Sequence, residues 1–139
     1  WRAISLAWDQ EENVLKMIDA GIDAYFEWCR NYGPVVGPIY QEIPDIETPA
    51  YYHRNQVIKQ MVEQFNSALA LRNQATLPDI FIESLIRVSE HIGSSSFWPE
   101  ALSEDLIERN KMIAKRIFLA ALSDEKENKI VPTIQSITQ

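Results

Sequence analysis

Apolar residues recur at helical spacing along almost the whole chain, and no stretch alternates strictly between apolar and polar. The pattern predicts an all-α domain, a bundle of about five helices preceded by the end of another. The segment 1–8 reads as the end of a helix that begins upstream. Asp9, with Glu12 three residues on, has the spacing of a capping box. A helix over about 10–32 follows. Val14, Ile18, Ile22, Tyr25, Phe26 and Cys29 form one apolar stripe on it, and Met17, Gly21, Ala24 and Trp28 a second. A helix apolar over more than half its circumference packs from two sides, so this one is expected at the centre. Gly21 in its interior costs about 1 kcal/mol against alanine, which predicts a close approach there.

Gly33-Pro34 is expected to end that helix, with a short helix over about 35–42 interrupted by Gly37-Pro38. Residues 43–47 connect to the next helix. Thr48 is its expected cap and Pro49 stands in its first turn, where a missing N–H does no harm. That helix runs to about Leu71. Thr76 with Asp79 suggests another cap, for a helix over about 77–92 with Gly93 at its C-terminal end. A serine-rich loop leads to a last helix over about 102–122. The tail 123–139 carries no clear pattern.

These last two helices hold more apolar surface than one core needs. On the first, Phe81, Leu85, Val88 and Ile92 form one stripe, and Ile82, Ile86 and Ser89 another about 90° away. On the second, Leu102, Leu106, Ile113, Ile117 and Ala120 form one stripe, and Ile107, Ala114, Phe118 and Ala121 the next. Exposing both stripes leaves an apolar patch larger than monomers usually carry. One account buries both inside a single domain. The other pairs the two helices with their symmetry mates in a four-helix homodimer interface, made by Ile82, Ile86, Ser89, Ile107, Ala114, Phe118 and Ala121.

Composition narrows the chemistry. The chain has 139 residues, with 13 basic and 20 acidic side chains and a formal charge of −7. A surface this acidic repels phosphate, so these residues are not expected to grip nucleic acid themselves. One cysteine and two histidines leave no disulfide, no multi-cysteine zinc site and no Glu-x-x-His pair. No metal and no cofactor are expected. No phosphate loop, dinucleotide-binding turn or nucleophile elbow is present in the sequence, so no catalytic residues are assigned and an enzyme is not expected. Cys29 falls on an apolar stripe, where a packed thiol is expected. His53 stands among Tyr51, Tyr52 and Arg54, at a surface or pocket edge. No apolar run is long enough to span a membrane. The first residue is Trp1 rather than Met, and the sequence is expected to be a piece of a longer chain.

The aromatic residues suggest a small-molecule site. Tyr25, Trp28, Tyr32 and Tyr40 cluster toward the end of the 10–32 helix and beyond it, and Met61, Phe65 and Phe81 can converge on the same region. An apolar cavity with a few polar tips is the usual form of such a site.

The order and length of these segments resemble the C-terminal regulatory domain of TetR/AcrR-family transcription regulators. The residues that carry the resemblance are DQEENVLKMIDAGIDAYFEWC, NYGPVVGPIYQEIPD, TPAYYHRNQVIKQMVEQF, LPDIFIESLIRVSEHI and LSEDLIERNKMIAKRIFLAAL. It implies a ligand-binding and dimerisation domain over 9–122, with 1–8 ending a helix that links it to a DNA-binding domain upstream. It further implies a bacterial, cytoplasmic repressor and a homodimer built by the last two helices. Its effector is expected to be small and apolar or aromatic, and operator DNA is touched only through the upstream heads. Those heads stand about 34–36 Å apart to enter successive major grooves, and a ligand shifts their spacing by differential affinity. The hinge-like segment 35–42 is the expected relay. The competing expectation is a helical protein–protein interaction module without a ligand. A small enzyme ranks third.

Overall fold

The computed structural model describes residues 2–11, 13–42 and 45–126. It contains five α-helices: α1 (Arg2–Asp9), α2 (Val14–Glu42), α3 (Pro49–Leu71), α4 (Asp79–Ser95) and α5 (Glu104–Lys126). No strand occurs among the described residues, so the all-α bundle is as expected. The tail 127–139 lies outside them.

Helix α2 is the axis of the bundle and packs against each of the other four helices. Its two apolar stripes explain this. Met17, Ile18, Ile22, Tyr25, Phe26 and Cys29 are all buried. The approach predicted at Gly21 is made by α1: a Cβ there would collide with the indole of Trp8. Gly93 plays the same part for α4, where a Cβ would sit 2.5 Å from Cε1 of Tyr25.

Several boundaries differ from those read in the sequence. Helix α2 does not stop at Gly33-Pro34, and no separate helix covers 35–42; it runs unbroken through Pro38 to Glu42. Each proline removes a single N–H and its fixed φ is itself helical, so two missing bonds are tolerated within 29 residues. Asp9 is the last residue of α1 rather than a cap, and Glu12 lies outside the described residues. The cap of α2 is Asn13, whose Oδ1 accepts from the backbone N–H groups of Leu15 (2.8 Å) and Lys16 (3.3 Å). Thr48 caps α3 as expected, with Pro49 behind it. Thr76 caps nothing: α4 starts at Asp79 behind Pro78, because Asn66 pins the preceding turn. Its amide donates to the Leu77 carbonyl (3.0 Å) and accepts from the Leu77 N–H (2.9 Å). Gly93 is not a C-terminal cap either, since α4 continues to Ser95.

The end of α3 shows a device the sequence reading missed. Asn73 takes a positive φ of 57°. The N–H groups of Asn73 and Gln74 then return to the carbonyls of Ala70 (3.1 Å) and Leu69 (2.9 Å). This is a Schellman cap, with asparagine in the place glycine usually takes. Beside it, Arg72 gathers three backbone carbonyls. It donates to Ala68 of its own helix (2.9 Å), to Trp8 at the end of α1 (2.8 Å) and to Glu11 (2.9 Å). The cation meets the negative ends of two helices and ties α1 to α3.

The serine-rich loop after α4 is an anchor. Ser96 is fully buried, donates to the Ile92 carbonyl (2.8 Å) and accepts from Asn110 of α5 (3.0 Å). Phe97 is buried edge-on against Phe26, with Arg30 over its ring. Outside the core, Lys115 reaches Asp19 (2.9 Å) and Asp23 (2.8 Å) and joins α5 to α2. Burial opposes the charge on Lys115, but the hydrogen bonds it donates to both aspartates outweigh that and its pKa is raised.

Candidate functional site

A cavity of about 250 Å³ lies where all five helices meet. Helix α2 supplies Ile18, Gly21, Ile22, Tyr25 and Trp28, a single face at steps of three and four. Helix α3 supplies His53, Arg54, Val57, Met61 and Phe65, another such face. Ile4 and Trp8 come from α1, Ile86, Ser89 and Glu90 from α4, and Phe118 from α5.

The two ends of this cavity differ. Phe65 is completely buried, with Trp8 edge-on at 5.4 Å and Phe118 at 5.8 Å. Ile18 and Ile22 complete an apolar floor. Polar groups gather at the other end of the α3 face, some three turns away. Arg54 and Glu90 form an ion pair between α3 and α4, their side chains only 16% and 15% exposed. Nη2 of Arg54 and Oε1 of Glu90 are shut off from solvent. Tyr25 donates its hydroxyl to the Glu90 carbonyl (3.4 Å) and stacks on Trp28 at 6.2 Å. Ser89 lies beside Glu90 in the wall, and His53 is exposed and marks an edge open to water.

Of the residues expected at a ligand site, Tyr25, Trp28, Met61 and Phe65 line this cavity. Tyr32 does not. It is 53% exposed, one turn beyond Trp28 and tilted against its ring at 5.9 Å. Phe81 is not in the wall either; it is half-buried against the outer part of the core, because α4 turns the Ile86–Glu90 face inward. The side chain of Tyr40 lies outside the described residues. The sequence reading missed Trp8, Arg54, Ser89 and Glu90. Helical spacing alone puts Glu90 on the polar side of its helix, with Glu83, Arg87 and His91. A glutamate following an apolar stripe by one position is also where a helix wall meets a cavity.

The expected dimer residues are placed differently as well. Ile82, Ile86, Ile107, Ala114 and Phe118 are buried in the chain's own core, Ala121 packs against it, and Ser89 faces the cavity. That stripe is internal. The other is outward on α5 and mostly inward on α4: Leu102 is 39% exposed, Leu106 42%, Ile113 38% and Ile117 40%, and Val88 is 38% exposed, but Leu85 is buried and Phe81 and Ile92 pack against the core. On α5, Leu106, Ile113 and Ile117 repeat at steps of seven and four, one continuous face.

Cys29 is buried, as expected, and burial pushes its thiol up to about 11, with a hydrogen bond from Tyr25 partly opposing. It is an unreactive packing group. Among the described residues no cluster of His, Cys, Asp and Glu is arranged to hold a metal ion, and no helix is long and apolar enough to cross a membrane. No protein-family model, curated protein or solved structure matches the chain.

Proposed function

We propose that these residues form the effector-sensing and dimerising domain of a DNA-binding transcriptional regulator of the TetR/AcrR type. The observation that carries this reading is the cavity walled by all five helices, with the first helix among them. Trp8 touches the cavity, lies over Gly21 and stands at the end of α1. A ligand that moves its indole moves α1, and in such a regulator α1 leads to the DNA-binding head. Helix α1 therefore replaces the 35–42 segment as the relay, since that segment is part of the long axial helix. Arg72 sets the resting position of α1 by holding the carbonyls of Trp8 and Glu11. The two outcomes differ by the ligand's preference for one setting of α1, a population shift.

The dimer in this reading uses the outward stripe of Leu106, Ile113 and Ile117 with Val88 of α4. An acidic body suits such a protein, because it stays off DNA while the heads bind it. Under this reading the protein works in a bacterial cytoplasm as a repressor released by its effector. Native mass spectrometry tests the assembly, and thermal shift against small apolar compounds tests the cavity. A dimer stabilised by such compounds, with the stabilisation abolished by Ile86→Trp, is expected. A monomer that responds to none of them overturns the reading and favours the helical interaction module.

A further inference from the structure

Most polar groups in the cavity wall are already committed. Arg54 and Glu90 are in direct contact, with their facing atoms closed to solvent, so neither offers a charge to anything that enters. His53 is exposed at the open edge, where water meets it. Tyr25 gives its hydroxyl proton to the Glu90 carbonyl. Ser89 is different. It is half-buried in the wall, and its hydroxyl makes no hydrogen bond among the described residues. A helical serine has a ready partner in the carbonyl four residues back. Ser84 and Ser94 of the same helix take it, donating to Ile80 (2.7 Å) and Glu90 (2.8 Å). Ser89 leaves the corresponding carbonyl, that of Leu85, and lines the cavity instead. The indole N–H of Trp28, also half-buried in the wall, likewise finds no acceptor among the described residues.

These commitments select the ligand. An ion that enters leaves its water and meets no free counter-charge inside, a loss the wall does not offset. A wholly apolar molecule fills the space but cuts the Ser89 hydroxyl off from water without giving it a partner. An uncharged molecule with one oxygen avoids both losses. A hydroxyl suits Ser89 best: the serine hydroxyl is both donor and acceptor, and a second hydroxyl matches it in either sense. Its oxygen can also accept from an indole N–H. We infer that the cavity takes an uncharged one-ring aromatic alcohol or phenol, its ring toward the apolar floor and its hydroxyl on Ser89. The inference rests on the sensing role proposed above and names the chemistry of that same site. The size fits, since an apolar cavity of roughly 150 Å³ already holds benzene and this one is about 250 Å³.

The test uses four probes that share a body: ethylbenzene, 2-phenylethanol, phenylacetate and 2-phenylethylammonium, titrated calorimetrically into the full chain. On the native chain 2-phenylethanol is expected to bind at least tenfold tighter than either ion. Ser89→Ala removes the handle. The alcohol should then bind about fivefold weaker, the size of one net hydrogen bond, while ethylbenzene binds as before or tighter. An ion that equals or beats the alcohol on the native chain overturns the inference, and that ranking needs no substitution. A Ser89→Ala chain that binds the alcohol as tightly as the native one also overturns it, as does one that loses ethylbenzene to the same extent. Binding confined to larger apolar compounds overturns the one-ring assignment. In each of these cases the sensing role stands, because a ligand still enters. No binding by any probe, with no thermal shift from larger apolar compounds, removes the sensing role as well.

Discussion

The inner and outer faces of α4 and α5 are built from nearly the same residue types and have opposite surroundings. Ile107 is 1% exposed and Ile113 is 38% exposed, on one helix and six residues apart. Ile82 and Ile86 are sealed against α2, while Val88 stands at the surface. The inner face is committed to the chain's own stability. The outer face is available to another surface. Apolar character alone does not separate the two. A small residue does not separate them either, since Ala114 is buried on the inner stripe of α5 and Ala120 is exposed on the outer.

The largest effect should come from the inner face. Phe118 closes the core and the cavity floor, so Phe118→Ala should cost about 3–5 kcal/mol in urea unfolding. Next is alkaline pH, which attacks the core beneath the inner face through Cys29 of α2. The folded state holds the thiol proton up to about 11, against an ordinary value of 9.0. The stability this gives is complete below pH 9 and is lost as pH rises through 11, a total of about 2–3 kcal/mol. The stability difference between the native chain and Cys29→Ala, followed from pH 8 to 11.5, should change by that amount. Gly21→Ala should then cost about 1–3 kcal/mol by overpacking against Trp8, with a change in tryptophan fluorescence that reports the displaced indole. The smallest effect belongs to the outer face. Ile113→Arg should change the unfolding free energy of the dissociated chain by no more than about 0.5 kcal/mol. A large loss there would erase the distinction between the faces.

Much of this arrangement is legible in the residue pattern, for identifiable reasons. The central position of α2 follows from its wide apolar arc, and the close approach at Gly21 from the cost of glycine in a helix. Thr48-Pro49 marks the start of α3 because threonine favours the cap position and proline the first turn. The pattern fails where a distant group decides. Asn66 moves the start of α4 through a bond to Leu77, which no local rule at Thr76 anticipates. The chain past Gly33 stays helical although proline usually stops a helix. At the cavity, the aromatic wall is visible as clustered rings, but its polar end is not. Arg54 and Glu90 are 36 positions apart and look like surface charges until α3 and α4 are set side by side. The choice of inner stripe turns on 90° of helix rotation, which both stripes satisfy equally in sequence.

The central claim is that a sensing domain of this kind works as a pair, joined by the outer face of α4 and α5. Light scattering on the purified chain tests it most directly, since one copy has a mass of 16.0 kDa. The account predicts twice that mass for the native chain at micromolar concentration and a single copy, still helical, for Ile113→Arg. A native chain that scatters as one copy, or an Ile113→Arg variant that remains paired, would contradict it.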